Sequence, residues 1–213
     1  MTYGHFVTIV QKGSSVARKQ QEKSLQTQRE LLDSAEKLFA AKGFVATTVA
    51  EITSDAGYAK GNFYRHWQSK DEIMLAIIAG KMQSYRAMRD AALKDARSLE
   101  EVMGRTLDFL ETMIDDRNWS SVFLEFTIHA SRNEELRSQL NQSLYRLSNE
   151  IFDDIVGPYV TSGYPARKIG ALNTALFEGF LIHSLLGTGT IDRTDFRRAA
   201  MKLALANALD DQE

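Results

Sequence analysis

The chain is predicted to be all-α, with an N-terminal three-helix helix-turn-helix domain, a C-terminal helical bundle and about nine helices. Three features point there. Pro occurs only 2 times in 213 residues, so little interrupts long helices. After residue 25 the apolar residues recur at intervals of three and four, with no strand alternation and no internal repeat. Four Ser/Thr-x-x-Glu boxes, at Thr27, Thr48, Ser69 and Ser98, mark helix starts, because each partner can satisfy a free backbone N–H of the first turn.

In chain order, residues 1–25 lack a helical period and are expected to be a flexible basic extension carrying Arg18, Lys19 and Lys23; a strand-like arm over Phe6–Val10 is the alternative. Residues 26–71 form the expected DNA-binding domain. Its first helix starts at Thr27, lays Leu31, Leu32, Ala35, Leu38 and Phe39 on one stripe, and stops at Gly43. Residues 72–213 form the expected sensing and dimerisation domain. Its helices are placed at about 71–96, 98–116, 119–131, 134–156, 165–186 and 192–209, the fourth stopped by Gly157-Pro158 and the fifth opened by Pro165.

The stretch Thr48 to Lys70 carries the most chemistry. Val49, Ile52 and Ala56 share a face, and Gly57 suits the positive φ of a helix stop. A second short helix, about Lys60 to Trp67, sets Phe63 and Trp67 four apart to face the first. Two short helices around a Gly-containing turn match a DNA-binding helix-turn-helix; an ordinary surface turn between bundle helices fits the same spacing. On the open side, Lys60 and Arg65 suit phosphates or guanine edges, and Asn62 suits adenine. Tyr64, His66 and Lys70 suit phosphate oxygens, as do the free N–H groups where helices begin at Thr48 and Lys70. The DNA-facing set is Thr48, Ala59, Lys60, Gly61, Asn62, Tyr64, Arg65, His66 and Lys70.

This stretch, T-V-A-E-I-x-x-x-A-G-Y-A-K-G-N-F-Y-R-H-W-x-S-K-x-E, resembles the signature of TetR-type transcriptional regulators, and Arg29 to Thr48 resembles that family's first helix. The resemblance is specific from about Thr27 to Ile78. Ala59 stands where a capping residue is usual, Tyr58 where a small β-branched residue is common, and Trp67 where Phe is usual. The missing cap is expected to loosen the recognition helix by about 1 kcal/mol. The resemblance implies a homodimer on a pseudo-palindromic double-stranded DNA operator and an effector cavity in the bundle.

Composition agrees. Apolar residues make up 44% and charged residues 25%, enough for a core and too apolar for disorder. The net charge of −2 divides unevenly: residues 1–70 hold 10 Lys and Arg against 6 Asp and Glu, and residues 71–213 hold 16 against 22. A basic end on an acidic body suits a polyanion. With no Cys there is no disulfide or thiolate site, which fits a reducing, cytoplasmic setting. No apolar run reaches the roughly 18 residues of a membrane helix, and the N-terminal residues lack the basic-then-apolar order expected of a signal peptide.

For the cavity, Met103, Trp119, Phe123, Phe126, His129, Phe152, Asn173, Phe177 and Phe180 are candidate lining, with Met113 and Tyr145 beside them; each also suits plain core. For the dimer, Leu172, Gly179, His183 and Leu186 on the eighth helix and Ala200 and Leu203 on the ninth are candidate contacts; a buried core helix is the alternative. Gly179 within a helix suggests close approach of a neighbour. No catalytic residues, metal site or cofactor are expected: the only four His are His5, His66, His129 and His183, and no metal or nucleotide motif occurs. The expected function is a ligand-responsive DNA-binding regulator, a repressor released from its operator by a small apolar or amphipathic effector. The alternatives are a DNA-binding protein of this fold without an effector, or a helical enzyme or scaffold.

Overall fold

The computed structural model describes residues 4–145 and 152–209. The chain divides into two units, Met1–Ile77 and Ile78–Glu213. The first holds α1 (Gly4–Lys42), α2 (Val49–Asp55), α3 (Lys60–Phe63) and the opening turns of α4 (Lys70–Leu93). The second holds the rest of α4, then α5 (Leu99–Asp115), α6 (Arg117–Ser131), α7 (Glu134–Leu140), α8 (Ala166–Leu186) and α9 (Arg193–Ala208). No strand occurs among the described residues.

Helix α1 corrects the start expected at Thr27. It runs back to Gly4, through the segment read from the sequence as an extension. Thr27 is buried, and its hydroxyl donates to the Lys23 carbonyl at 3.0 Å. A Thr inside a helix makes this bond to the preceding turn, which makes it a poor guide to a helix start. Glu30 accepts instead from Gln26 Nε2 at 2.7 Å and from the Tyr58 hydroxyl. The other three boxes do cap helices. At Thr48 the exchange with Glu51 is reciprocal. At Ser69 and Ser98 the hydroxyl accepts from Glu72 N and Glu101 N at 3.2 Å, while each Glu takes the backbone N–H one residue earlier, Gln68 and Arg97.

The core of the first unit is closed by Leu31, Ala35, Phe39, Phe44, Ile52, Phe63, Trp67, Ile73 and Met74, all buried. Short polar ties join its helices. Ser34 Oγ donates to Ile52 O and to Asp55, both at 2.9 Å, and Lys37 Nζ reaches Asp55 at 2.6 Å.

In the second unit two apolar clusters seat α8 and α9 against α5. One gathers Val102, Met103, Val156, Ile169, Ala204 and Ala208; the other gathers Leu107, Phe177, Phe180, Phe196 and Ala200. Arg197 ties α9 to α5, bonding Asp108 at 2.7 Å and Glu111 at 3.0 Å. The single helix expected over 134–156 ends as α-helix at Leu140 and continues as a π-wound turn, Asn141–Tyr145; residues 146–151 of that expectation lie outside the described residues. Within the chain a close approach occurs at Gly170. A Cβ there would meet the Phe152 ring at 2.5 Å, whereas nothing lies within 4 Å of one at Gly179. Averaged over its length, α8 is long and apolar enough to cross a membrane, although no unbroken apolar run was expected; 33% of that window is buried inside the protein.

Candidate nucleic-acid interface and ligand cavity

Helix α3 has only four residues, far too few to hold a helix alone. Its shape comes from its flanks. Behind it, Phe63 and Trp67 are buried with ring centroids 5.6 Å apart. Before it, α2 ends at Gly57, φ +74°, where Gly57 N donates to Ser54 O and Tyr58 N to Thr53 O, a paired closure that turns the chain sharply. Tyr58 then anchors the turn on Glu30 of α1, which explains a large residue in that place. Ala59 N-caps α3 with no side-chain bond, leaving Asn62 N to the Ala59 carbonyl at 2.9 Å. The helix expected to reach Trp67 stops at Phe63 and closes by a turn, with Trp67 N still donating to Phe63 O at 3.0 Å.

One face of this element is open. Lys60, Gly61, Tyr64 and Arg65 are exposed, and Asn62 and His66 half-buried. Tyr64 stands edge-on to Phe63 at 5.4 Å, with Lys60 Nζ 5.9 Å from its ring, and His66 leans on Trp67. Gly61 has empty space where a Cβ would sit and needs no positive φ. Gly inside a helix costs about 1 kcal/mol relative to Ala. With no reason for it inside the protein, the bare backbone fits a surface that another molecule approaches closely.

The cations of this unit fall into two groups. Lys37 pairs with Asp55 and Lys42 with Glu51, whereas Lys70 is held by backbone carbonyls. Lys70 Nζ donates to Phe44 O at 2.6 Å, Thr47 O at 2.8 Å and Val45 O at 3.2 Å, over the Phe44 ring at 4.3 Å. An ammonium has three protons, so Lys70 is engaged in closing the α1–α2 loop, and its expected role as a phosphate contact is corrected. Lys60 and Arg65 have no ion pair among the described residues. The partners of the structural set are held ionised. The Tyr58 and Gln26 bonds lower the Glu30 pKa; Lys42, then Thr48, bring Glu51 down to about 2; Lys37, then Ser34, lower Asp55.

In the second unit a cavity of about 170 Å³ lies between helices. Of the expected lining, Trp119, Phe123, Phe152, Asn173 and Phe177 are in its wall, with Met113 and Tyr145. The rest are not. Met103, Phe126 and Phe180 are buried core, and His129 lies against Phe126 with ring centroids 6.2 Å apart. Unforeseen are Met82, Tyr85, Arg86 and Arg89 of α4, and Thr106, Phe109 and Leu110 of α5. The α4 set has the i, i+3, i+4, i+7 spacing of one helix face, a signal obscured by its two arginines. The π-wound turn carries Tyr145, whose hydroxyl donates to Glu178 Oε1 at 2.7 Å. Burial and that carboxylate push the Tyr145 pKa upward, so it stays a neutral donor. Asn173 is 3% exposed; its Nδ2 donates to Ile169 O at 3.0 Å, and its Oδ1 has no hydrogen-bond partner among the described residues.

Of the expected dimer contacts, Leu172, His183 and Leu186 are exposed on α8, and Gly179 is half-buried beside them; Ile182 joins the stripe, 48% exposed. Leu203 is half-buried against the first apolar cluster. Ala200 is fully buried under Phe196 and Phe180, and is corrected from interface to core.

Residues 31–77 match the sequence profile of the family described as bacterial regulatory proteins, tetR family. Over that segment the resemblance to the TetR family is shown. It is similar to the HTH-type transcriptional regulator BetI of Brucella melitensis, 26% identical over 167 residues, which cover 77% of this chain and 82% of that one. Its fold matches the transcriptional regulator FadR of Bacillus subtilis in complex with stearoyl-CoA, with a TM-score of 0.68, 17% identity and coverage of 84% of this chain and 98% of that one. It also matches SmeT of Stenotrophomonas maltophilia in complex with triclosan, with a TM-score of 0.66, 19% identity and coverage of 87% and 93%. SmeT is described as the repressor of a multidrug efflux pump. The helix-turn-helix assigned above lies within the matched segment, and the chain is similar to transcriptional regulators of that family.

Proposed function

We propose that this chain is a TetR-family repressor that binds a pseudo-palindromic operator as a homodimer and is released by a small molecule in the second unit, and that it is not an enzyme. The observation that carries the reading is the open face of α3: two unpaired cations, an amide and a phenol on one side, an aromatic brace on the other, and a glycine with no internal reason to be there. The stripe Leu172, Gly179, Ile182, His183 and Leu186 supports pairing of two copies, because a row of exposed apolar side chains on one helix favours a partner. Two copies then present two recognition elements to half-sites about one DNA turn apart or somewhat more. The cavity supports effector control, and its α4 wall suggests the route. A ligand pressing on Met82, Tyr85 and Arg86 acts on the helix whose opening turns carry Ile73 and Met74 of the DNA-binding unit. Release then requires the ligand to prefer one setting of α4 over the other. The complexes of FadR with stearoyl-CoA and of SmeT with triclosan support an apolar or amphipathic effector.

The test is to select genomic fragments with the purified protein and titrate the best of them against Lys60→Ala with Tyr64→Ala. The double variant is expected to keep its melting temperature and lose at least tenfold in affinity, with a shallower salt dependence. Unchanged affinity at full foldedness would reject the regulator surface proposed here.

A further inference from the structure

Resting on the reading of the open face of α3 as a DNA contact, we propose that the amino-terminal part of α1 is a second one: Lys19 and Lys23 grip the phosphate backbone of the same duplex, beside the groove that α3 enters. The starting point is a stretch of helix without a neighbour. Residues 17–26 are exposed at every position, so no described part of the chain covers any side of it. Most helices in proteins are held by a packed apolar face, and this stretch packs none.

Direction comes from the helical period. Lys19, Lys23, Gln26 and Glu30 stand at i, i+4, i+7 and i+11, one stripe of α1. Gln26 and Glu30 are bonded along that stripe at 2.7 Å, and Glu30 also accepts from the Tyr58 hydroxyl. Tyr58 lies two residues before Lys60. The stripe that carries both lysines is therefore the one against which the turn into α3 rests. At 1.5 Å per residue, Lys23 lies about 10 Å and Lys19 about 16 Å along α1 from that anchor. The major groove is about 12 Å wide, so a duplex seated on α3 has a phosphate strand at its edge within that range. The two lysines are separated by a rise of about 6 Å, close to two phosphate steps of about 3.4 Å on one strand.

Charge sets the partner. Within residues 17–30 both acids are engaged: Glu22 with Arg18 at 3.2 Å, and Glu30 with Gln26 and Tyr58. The next acid, Asp33, is exposed about one turn beyond Glu30, away from the lysines. Lys19 and Lys23 have no ion pair among the described residues, so a polyanion meets them without displacing a carboxylate. Continuity with the α3 face favours the duplex over a separate acidic protein.

The experiment compares three full chains across salt concentrations: the unaltered one, Lys19→Gln with Lys23→Gln, and Lys94→Gln with Lys202→Gln. Each is titrated with the selected fragments and with unrelated duplex of equal length. Lys94 and Lys202 are exposed in the second unit, so the last chain loses the same charge elsewhere. The Lys19 and Lys23 variant is expected to keep its melting temperature and to bind both duplexes at least tenfold more weakly at low salt. Its salt slope should fall by about 1 for each lysine removed, and its hydroxyl-radical footprint should shorten at the flanks. The control should keep both. A slope and footprint matching the control overturn the proposal, and the α3 reading stands if Lys60→Ala with Tyr64→Ala still loses binding. Should the variant not fold, duplex trimmed to the half-sites decides: undiminished binding by the unaltered chain overturns the flanking contact. If the unaltered chain selects no DNA, both readings fall.

Discussion

The two units treat their polar groups in opposite ways. In the first, nearly every buried or bridging polar group has a short-range partner: Thr48 with Glu51, Ser34 with Asp55, Lys70 with three carbonyls, Tyr58 with Glu30. The open face of α3 is left over. In the second unit the unmet groups among the described residues are inside, at Thr127 Oγ1 and Asn173 Oδ1. A rigid frame with an unpaired exterior suits a large polyanion; a packed bundle with an unpaired interior suits a small molecule. The contrast also separates residues of one type. Lys60 and Lys70 are ten positions apart in one basic segment, yet one faces outward and the other holds a loop shut.

The largest effect that can break this contrast comes from Lys60. Lys60→Ala with Tyr64→Ala should remove DNA affinity and spare stability, whereas Lys70→Met should do the reverse. The latter leaves three carbonyls without their donor, for a loss of about 1–3 kcal/mol read by denaturant titration. The folded fraction should still bind DNA, with an unaltered salt slope. If Lys70→Met lowers the salt slope and leaves stability intact, its lysine belongs with Lys60 after all.

Gly170→Ala tests the second unit. The added Cβ must displace the Phe152 ring, and overpacking of this kind typically costs about 1–3 kcal/mol. The melting temperature should fall, and ligand binding should weaken because Phe152 lines the cavity. Gly179→Ala, with open space around it, should leave protomer stability unharmed and act on dimerisation alone.

Acid and base should also act on different parts. Glu30, Glu51 and Asp55 have lowered pKa values in the folded state, so they contribute stability above their unfolded values and lose it as pH falls. For Glu51 that window runs from about 4.5 down to about 2. Tyr145 is raised, so its contribution is full below its ordinary value of 10.0 and fades as pH rises through the folded value. Fluorescence of Trp67 and Trp119, each kept alone in turn, reads the two units separately: acid should disturb Trp67 first. Simultaneous loss of both signals in acid would count against the contrast. The smallest effect is at Gly61. Gly61→Ala should raise stability by about 0.5–1 kcal/mol and weaken DNA binding, a pairing that chemical denaturation and titration can each check.

How far the sequence disclosed this depends on range. The Thr48 box, the Gly57 stop and the inward pair Phe63 and Trp67 rest on contacts within a few residues, and pattern alone reveals them. Thr27 has the same Ser/Thr-x-x-Glu pattern, but its environment makes it helix interior, and nothing within four residues announces that. Lys70 was misread because its carbonyl partners lie more than twenty residues away. In the cavity the limit is rotational. Met103 and Met113 both sit on the apolar side of α5, and only the placement of α8 and α9 decides which is core and which is wall. Ala200 was misassigned for a related reason: a small residue marks close packing without saying whether the neighbour is in the same chain.

The brace of α3 and its open face share no residue. Phe63 and Trp67 fix the geometry, while Lys60, Asn62, Tyr64 and Arg65 confront whatever lies outside. Exchanges at Lys60, Asn62 and Arg65 therefore leave the brace in place, and so descendants of this chain can drift toward new target sequences one substitution at a time, without passing through an unstable ancestor.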